Sequence, residues 1–168
     1  SLQAFVREIS LAMPVVVLCM VGLSVTDHLV KRISPDTSVT PDVLRNLAES
    51  PPTNMVYLLL IFSFTFAPIA EELFFRGFLY NALKARIPKA AALALQSLIF
   101  GYAHFYGTFQ SGVVVVLGIM LTAVYEWRKT LLAPILVHAG INLMTSLVLL
   151  AMMTEAAGRP LLGVSGEV

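Results

Sequence analysis

The chain has 168 residues, 58% of them hydrophobic and only 12% charged, with a mean hydropathy of +0.84. Eleven Lys and Arg against ten Asp and Glu give a net charge of +1, which leaves no electrostatic footprint for nucleic acid. This composition excludes an ordinary soluble domain and describes a polytopic membrane protein. The single cysteine, Cys19, lies in an apolar run, so no internal disulfide is possible and packing is its expected role.

About 20 apolar residues are needed to cross roughly 30 Å of hydrocarbon. By that measure a first helix is expected from about Ile9 to Val30, preceded by no cleavable leader; the start at Ser1 reads as a segment of a longer chain. A polar connection follows, with Pro35, Pro41, Pro51 and Pro52 and at most a short helix near Pro41 to Glu49. A second helix is expected from about Asn54 to Leu83, ended by "KARIPKA", and a third from about Lys89 to Tyr106. After "YGTFQSG" come a fourth helix, about Gly112 to Trp127, and a fifth, about Leu131 to Met153; the tail is expected to fray. The expected architecture is an all-α, polytopic transmembrane bundle of about five to six helices. Residues 1–53 supply an N-terminal transmembrane helix and connection, 54–153 a helical core, and 154–168 a tail.

The basic turns Lys84 to Lys89 and Arg128 with Lys129 fall at one end of helices two to five, and the positive-inside rule makes that end cytoplasmic. Lys31 and Arg32 would then lie on the outer side, unless a segment re-enters or the second helix is broken. The direction of the first helix therefore stays open. His28, beside Asp27, Lys31 and Arg32, reads as interfacial, and Phe62, Phe64, Phe66, Phe74, Phe75 and Phe78 as lipid-facing and packing surface.

Few strongly polar residues remain inside the spans: Glu71, Glu72, Arg76, His104, His138 and Asn142. Each ionisable group there costs at least ~2.5 to 3.5 kcal/mol, so each calls for a partner or a role. Glu72 and Arg76 stand at i and i+4 with the acid first, the favourable order for a helical ion pair. Glu71 points about 100° away on the same helix and is left for chemistry, as a general base. Counted from the basic turns, Glu71 and His104 lie roughly 20 and 22 Å up, and His138 and Asn142 roughly 14 and 20 Å. Four polar side chains from three helices thus share a depth, with Pro68 able to loosen the helix beside Glu71. Taken singly, a membrane His or Asn is as readily a helix-to-helix hydrogen-bonding residue. Phe100, four residues before His104, is most simply a packing residue on its face.

Together "EELFFR" (Glu71 to Arg76), "FGYAH" (Phe100 to His104) and "HAGIN" (His138 to Asn142) resemble the EExxxR, FxxxH and HxxxN motifs of the CPBP family, the CAAX-protease and bacteriocin-processing intramembrane proteases, also called the Abi family. All three occur in order, and the resemblance covers about Tyr57 to Leu149. It implies an intramembrane endopeptidase with a membrane-embedded catalytic cavity, acting on a membrane-associated protein or peptide. Glu71 and His104 would activate water, and His138 and Asn142 would stabilise the oxyanion. Glu72 and Arg76 would brace the helix, and Phe100 would pack beside His104. No cofactor is expected. The alternatives are a zinc peptidase with Glu71, His104 and His138 as ligands, and a non-catalytic scaffold or immunity protein of the same fold. A proton relay or transporter lacks the repeats that would support it. An integral, multi-pass place in a bacterial cytoplasmic membrane is expected, without nucleic-acid partners.

Overall fold

The computed structural model describes residues 2–49 and 51–158. Among them there is no strand, and every long apolar run is helical. Helix α1 (Leu2–Ile33) is followed by the short α2 (Asp42–Ala48). The next run is one continuous pass in four pieces: α3 (Asn54–Phe64), α4 (Phe66–Glu72), a π-helical stretch (Leu73–Tyr80) and α5 (Asn81–Lys84). Helices α6 (Lys89–Tyr102), α7 (Thr108–Arg128) and α8 (Leu132–Ala156) complete the bundle. Four helical stretches are long and apolar enough to cross a membrane: Leu2–Ile33, Asn54–Lys84, Thr108–Arg128 and Leu132–Ala156.

Three expected boundaries move. The first helix begins seven residues before Ile9, and the acid this brings into it is neutralised: Glu8, 6% exposed, receives Arg128 through two bonds of 3.0 and 2.6 Å. That pair also fixes the direction of α1. Its start lies at the basic end beside Arg128, so Lys31 and Arg32 lie at the other end, where Lys31 is held by Asp27 at 2.6 Å. The basic end still holds Arg7, Lys84, Arg86, Lys89, Arg128 and Lys129, so the charge bias survives. The fourth helix begins at Thr108 rather than Gly112, with Ser111 Oγ donating to the Tyr106 carbonyl below it. The third helix ends at Tyr102, not Tyr106: Gly101 is pressed against α7 so closely that a Cβ would stand 2.6 Å from the Ser111 carbonyl oxygen, and the chain must turn over into α7. His104 therefore sits in a turn, and Phe105 takes a left-handed backbone at φ 54°. Most of the tail, 159–168, lies outside the described residues, and Thr154 to Ala156 still belong to α8.

The second pass breaks where Pro68 predicts. Pro68 has no N–H for the Phe64 carbonyl four residues back, and its ring crowds that group. Helix α3 ends at Phe64, and Thr65, at φ −107° and ψ −74°, turns the chain, its hydroxyl donating to the Ile61 carbonyl at 2.6 Å. The backbone beside this break is tied to α8: the Asn142 side-chain amide donates to the Ser63 carbonyl at 2.8 Å. Further along, the wide turns of the π stretch free backbone carbonyls, and Asn81 Nδ2 donates to those of Arg76 and Gly77 at 2.8 and 3.0 Å.

The core lies between α1, the π stretch, α6, α7 and α8, with Val16, Phe75, Phe100, Leu121, Val137 and Ile141 buried. Phe75 is thus interior, packed edge-to-face on Phe100 with centroids 5.0 Å apart, while Phe62, Phe66, Phe74 and Phe78 are exposed as a lipid-facing surface would be. A second cluster, Ala48, Val56, Leu149 and Met153, seats α2 on α8.

Candidate active site

Glu72 and Arg76 are both fully buried and 2.7 Å apart, Arg76 Nη1 donating to Glu72 Oε1. The guanidinium also donates to the Gly118 carbonyl at 3.0 Å and lies 4.5 Å from the centre of the Phe100 ring. Its Nε stands 3.4 Å from the Thr122 hydroxyl, which itself lies 2.7 Å from Gln96 Oε1. A charge in hydrocarbon is tolerable only with this density of partners.

The pair is not self-contained. Glu72 Oε1 also accepts from His138 Nδ1 at 2.8 Å, so one carboxylate oxygen holds a guanidinium and an imidazole together. This contact crosses from one helix to another and leaves no trace in sequence spacing. Glu72 is thus a fixed anchor for His138, besides bracing its own helix.

Around that anchor three side chains converge. Glu71 Oε2 lies 3.9 Å from His104 Nε2 and 3.8 Å from His138 Nε2. The same oxygen is buried and has no hydrogen-bond partner, which is costly unless something is meant to bind there. Both separations exceed a hydrogen bond, and because Oε2 has almost no accessible surface a bridging oxygen would have to part these groups to enter. The imidazole tautomers follow from their partners. His104 Nδ1 is 2.8 Å from the Phe100 carbonyl oxygen, which only accepts, so Nδ1 carries a proton. His138 Nδ1 faces the Glu72 carboxylate and carries one too. In their neutral forms both rings therefore aim an Nε2 lone pair at Glu71 Oε2.

Exposure sets the direction of access. The Glu71 and His104 side chains are 30% and 24% exposed, while His138 is 3% exposed and Phe100 fully buried. The site opens on the side of Glu71 and the turn after α6, with His138 at its back wall. Phe100 sits below, its ring centroid 5.0 Å from that of His104 and 5.8 Å from that of His138. Asn142 lies one turn beyond His138 on α8, with one amide N–H used on Ser63.

Sequence spacing missed Tyr106. Its ring lies 5.5 Å from that of His104, and burial together with the Glu71 charge pushes its phenol above the ordinary value. The left-handed Phe105 between them is what turns His104 and Tyr106 to the same side. The Gly107 that follows was the available signal for such a turn. No group of three or more His, Cys, Asp or Glu among the described residues is gathered tightly enough to hold a metal ion as it stands.

Residues 53–144 match the family described as type II CAAX prenyl endopeptidase, Rce1-like, a range that contains every side chain of the cluster. The UPF0177 protein YbdI of Lactococcus lactis subsp. lactis is 31% identical over 124 residues, 72% of this chain and 65% of that protein. The chain thus spans just under two thirds of the length of that relative. No solved structure matches.

Proposed function

The chain belongs to the Rce1-like family of type II CAAX prenyl endopeptidases, and from that membership we propose that it is an intramembrane endopeptidase that cuts a membrane-associated protein or peptide with a glutamate-activated water. The observation that carries the reading is the unpartnered Glu71 Oε2 facing two imidazole Nε2 atoms at 3.9 and 3.8 Å.

A water between Glu71 and His104 gives up a proton to this pair as its oxygen attacks the scissile carbonyl. The negative charge that develops on the carbonyl oxygen is met by His138 and Asn142. For His138 to donate from Nε2 while Nδ1–H stays on Glu72, the ring must be an imidazolium. The proton taken from water then passes to the leaving amine, which restores Glu71. Asn142 contributes its second N–H, the first being held by Ser63. The basic end faces the cytoplasm of a bacterial cell in this reading.

The two aimed Nε2 lone pairs also favour a second reading, a zinc peptidase with Glu71, His104 and His138 as ligands. Ligand atoms around zinc stand about 3.4 Å apart, so Glu71 Oε2 would have to draw in toward each Nε2, from 3.9 and 3.8 Å, by about half an ångström. Zinc would supply a polarised water, and the same three residues would hold it. Metal analysis of chelator-treated protein, run beside its activity, separates the two: full activity with no bound zinc removes the metal reading.

The function itself is tested by mass spectrometry of membrane peptides in cells carrying Glu71→Gln, together with cleavage of a prenylated CAAX peptide by the purified protein. Accumulation of an uncut precursor that the purified wild type cleaves is the expected result. An unchanged peptide population, with the wild-type phenotype kept, would instead identify a scaffold or immunity protein.

A further inference from the structure

At the basic end, away from the Glu71 cluster, one carboxylate is surrounded by three ammoniums. Glu126 lies 2.9 Å from Lys84 Nζ and 2.8 Å from Lys89 Nζ, and Lys129 Nζ also bonds it. The lysines come from three places, the end of α5, the start of α6 and the residue after α7, so the fold gathers them. Three positive charges against one leave two unbalanced. Nearby Arg128 does not change that sum, because Glu8 occupies it.

Several features make this more than a basic loop. Glu126 is only 10% exposed, whereas Lys84, Lys89 and Lys129 are 34%, 58% and 68% exposed, so the acid is an internal hub with the cations facing outward. Each ammonium has three N–H donors, and the hub takes one from each, leaving the others for a ligand. Lys129 holds a left-handed backbone, φ 55° and ψ 29°, at the end of α7, where glycine or asparagine would be easier. Lys84 Nζ sits 4.9 Å above the Tyr80 ring, which fixes its direction, and the buried Tyr80 hydroxyl also faces Glu126. Trp127, 60% exposed, marks the level at which aromatic residues meet the headgroups.

We propose that Lys84, Lys89 and Lys129, preorganised by Glu126, form a binding site for the phosphate of an anionic lipid headgroup at the basic end of the bundle. A phosphate oxygen accepts from ammoniums that are already converged, and two positive charges meet a ligand of opposite sign where the leaflet surface supplies one. Occupancy links α5, α6 and α7, and so steadies the end of the helix that carries Arg76. The site is independent of the hydrolysis reading, since lipid retention is measured without turnover.

The test is thermal unfolding and native mass spectrometry of the detergent-purified full chain, with added phosphatidylglycerol, phosphatidylcholine or inorganic phosphate. Phosphatidylglycerol should raise the unfolding temperature and remain bound, an effect that weakens as salt is raised. The variant Lys89→Gln with Lys129→Gln leaves Lys84 on Glu126, so the hub stays paired; it should retain phosphatidylglycerol on the order of tenfold or more weakly. Glu126→Gln, which releases all three lysines, should retain it more weakly than wild type although it adds net positive charge, and retention at or above wild type overturns the preorganising role of Glu126. Equal stabilisation by phosphatidylcholine, or equal retention by wild type and the double variant, overturns the site. Stabilisation by inorganic phosphate alone to the same extent overturns its assignment to lipid.

Discussion

Replacing Arg76 with alanine removes a guanidinium that is fully buried and bonded to Glu72 at 2.7 Å and to the Gly118 carbonyl at 3.0 Å. What stays behind is a carboxylate with no exposure and only the His138 imidazole as partner. Breaking a buried pair from one side costs about 3 to 5 kcal/mol, and the lost contact with the Phe100 ring, 4.5 Å away, adds about 1 kcal/mol. Against a native stability of about 5 to 15 kcal/mol this is a large fraction, on the order of a 10 °C fall in unfolding temperature. Glu71→Gln is the matched control. It is isosteric, sits at 30% exposure and breaks no hydrogen bond, so its unfolding temperature should stay within about 2 °C of wild type while cleavage is lost. Thermal unfolding of both variants in the same detergent, beside precursor cleavage, makes the comparison. If Arg76→Ala unfolds at the temperature of Glu71→Gln, the division between a structural brace and a chemical acid is wrong.

Glu72→Gln loosens the anchor that holds His138 at 2.8 Å and leaves the buried Arg76 guanidinium without its carboxylate, so cleavage should fall by at least about 100-fold and the unfolding temperature should fall with it; unchanged cleavage would remove the His138 anchor from the site. Gly101→Ala should destabilise by about 1 to 3 kcal/mol, because its Cβ would stand 2.6 Å from the Ser111 carbonyl oxygen and 2.8 Å from the Val115 nitrogen, both backbone atoms that cannot step aside. Gly22→Ala, with nothing within 4 Å, should not destabilise at all, and similar unfolding temperatures for the two would refute the close approach of α6 and α7. Tyr106 has a phenol held above its ordinary value of 10.0, so it favours folding fully below that pH and loses this contribution as pH rises past it. Tyr106→Phe should therefore show a flatter decline of unfolding temperature above about pH 10 than wild type, and parallel curves would remove Tyr106 from the neighbourhood of Glu71.

The bundle was legible because hydropathy and helix length act locally: each apolar run became a helix, and Pro68 marked the break by its missing donor alone. Glu72 with Arg76 could be paired from i, i+4 spacing, since both partners ride one helix. Where an interaction joins distant segments, nothing along the chain announces it. Glu8 in α1 is neutralised by Arg128, 120 residues away, and the Glu72 to His138 bond spans 66 residues. Depth counting brought Glu71 and His104 level, yet it treated His104 as helical. The end of α6 is decided by how close Gly101 comes to α7, a tertiary distance. Depth counting set Asn142 level with Glu71 and His138 about four residues lower, whereas it is His138 that meets Glu71 and Glu72, and Asn142, one turn further on, bonds the Ser63 carbonyl.

Helix α6 has 14 residues, about 21 Å against roughly 30 Å of hydrocarbon. It stops short of the far side, and the irregular backbone of residues 103–107 begins at that depth. Loose peptide groups are stable within a bilayer only if protein or water satisfies them. On the proposed reading the shortfall has a use: the short helix hands His104 to a turn on the exposed side of the cluster, so the side from which water would come and the side that carries the base are the same.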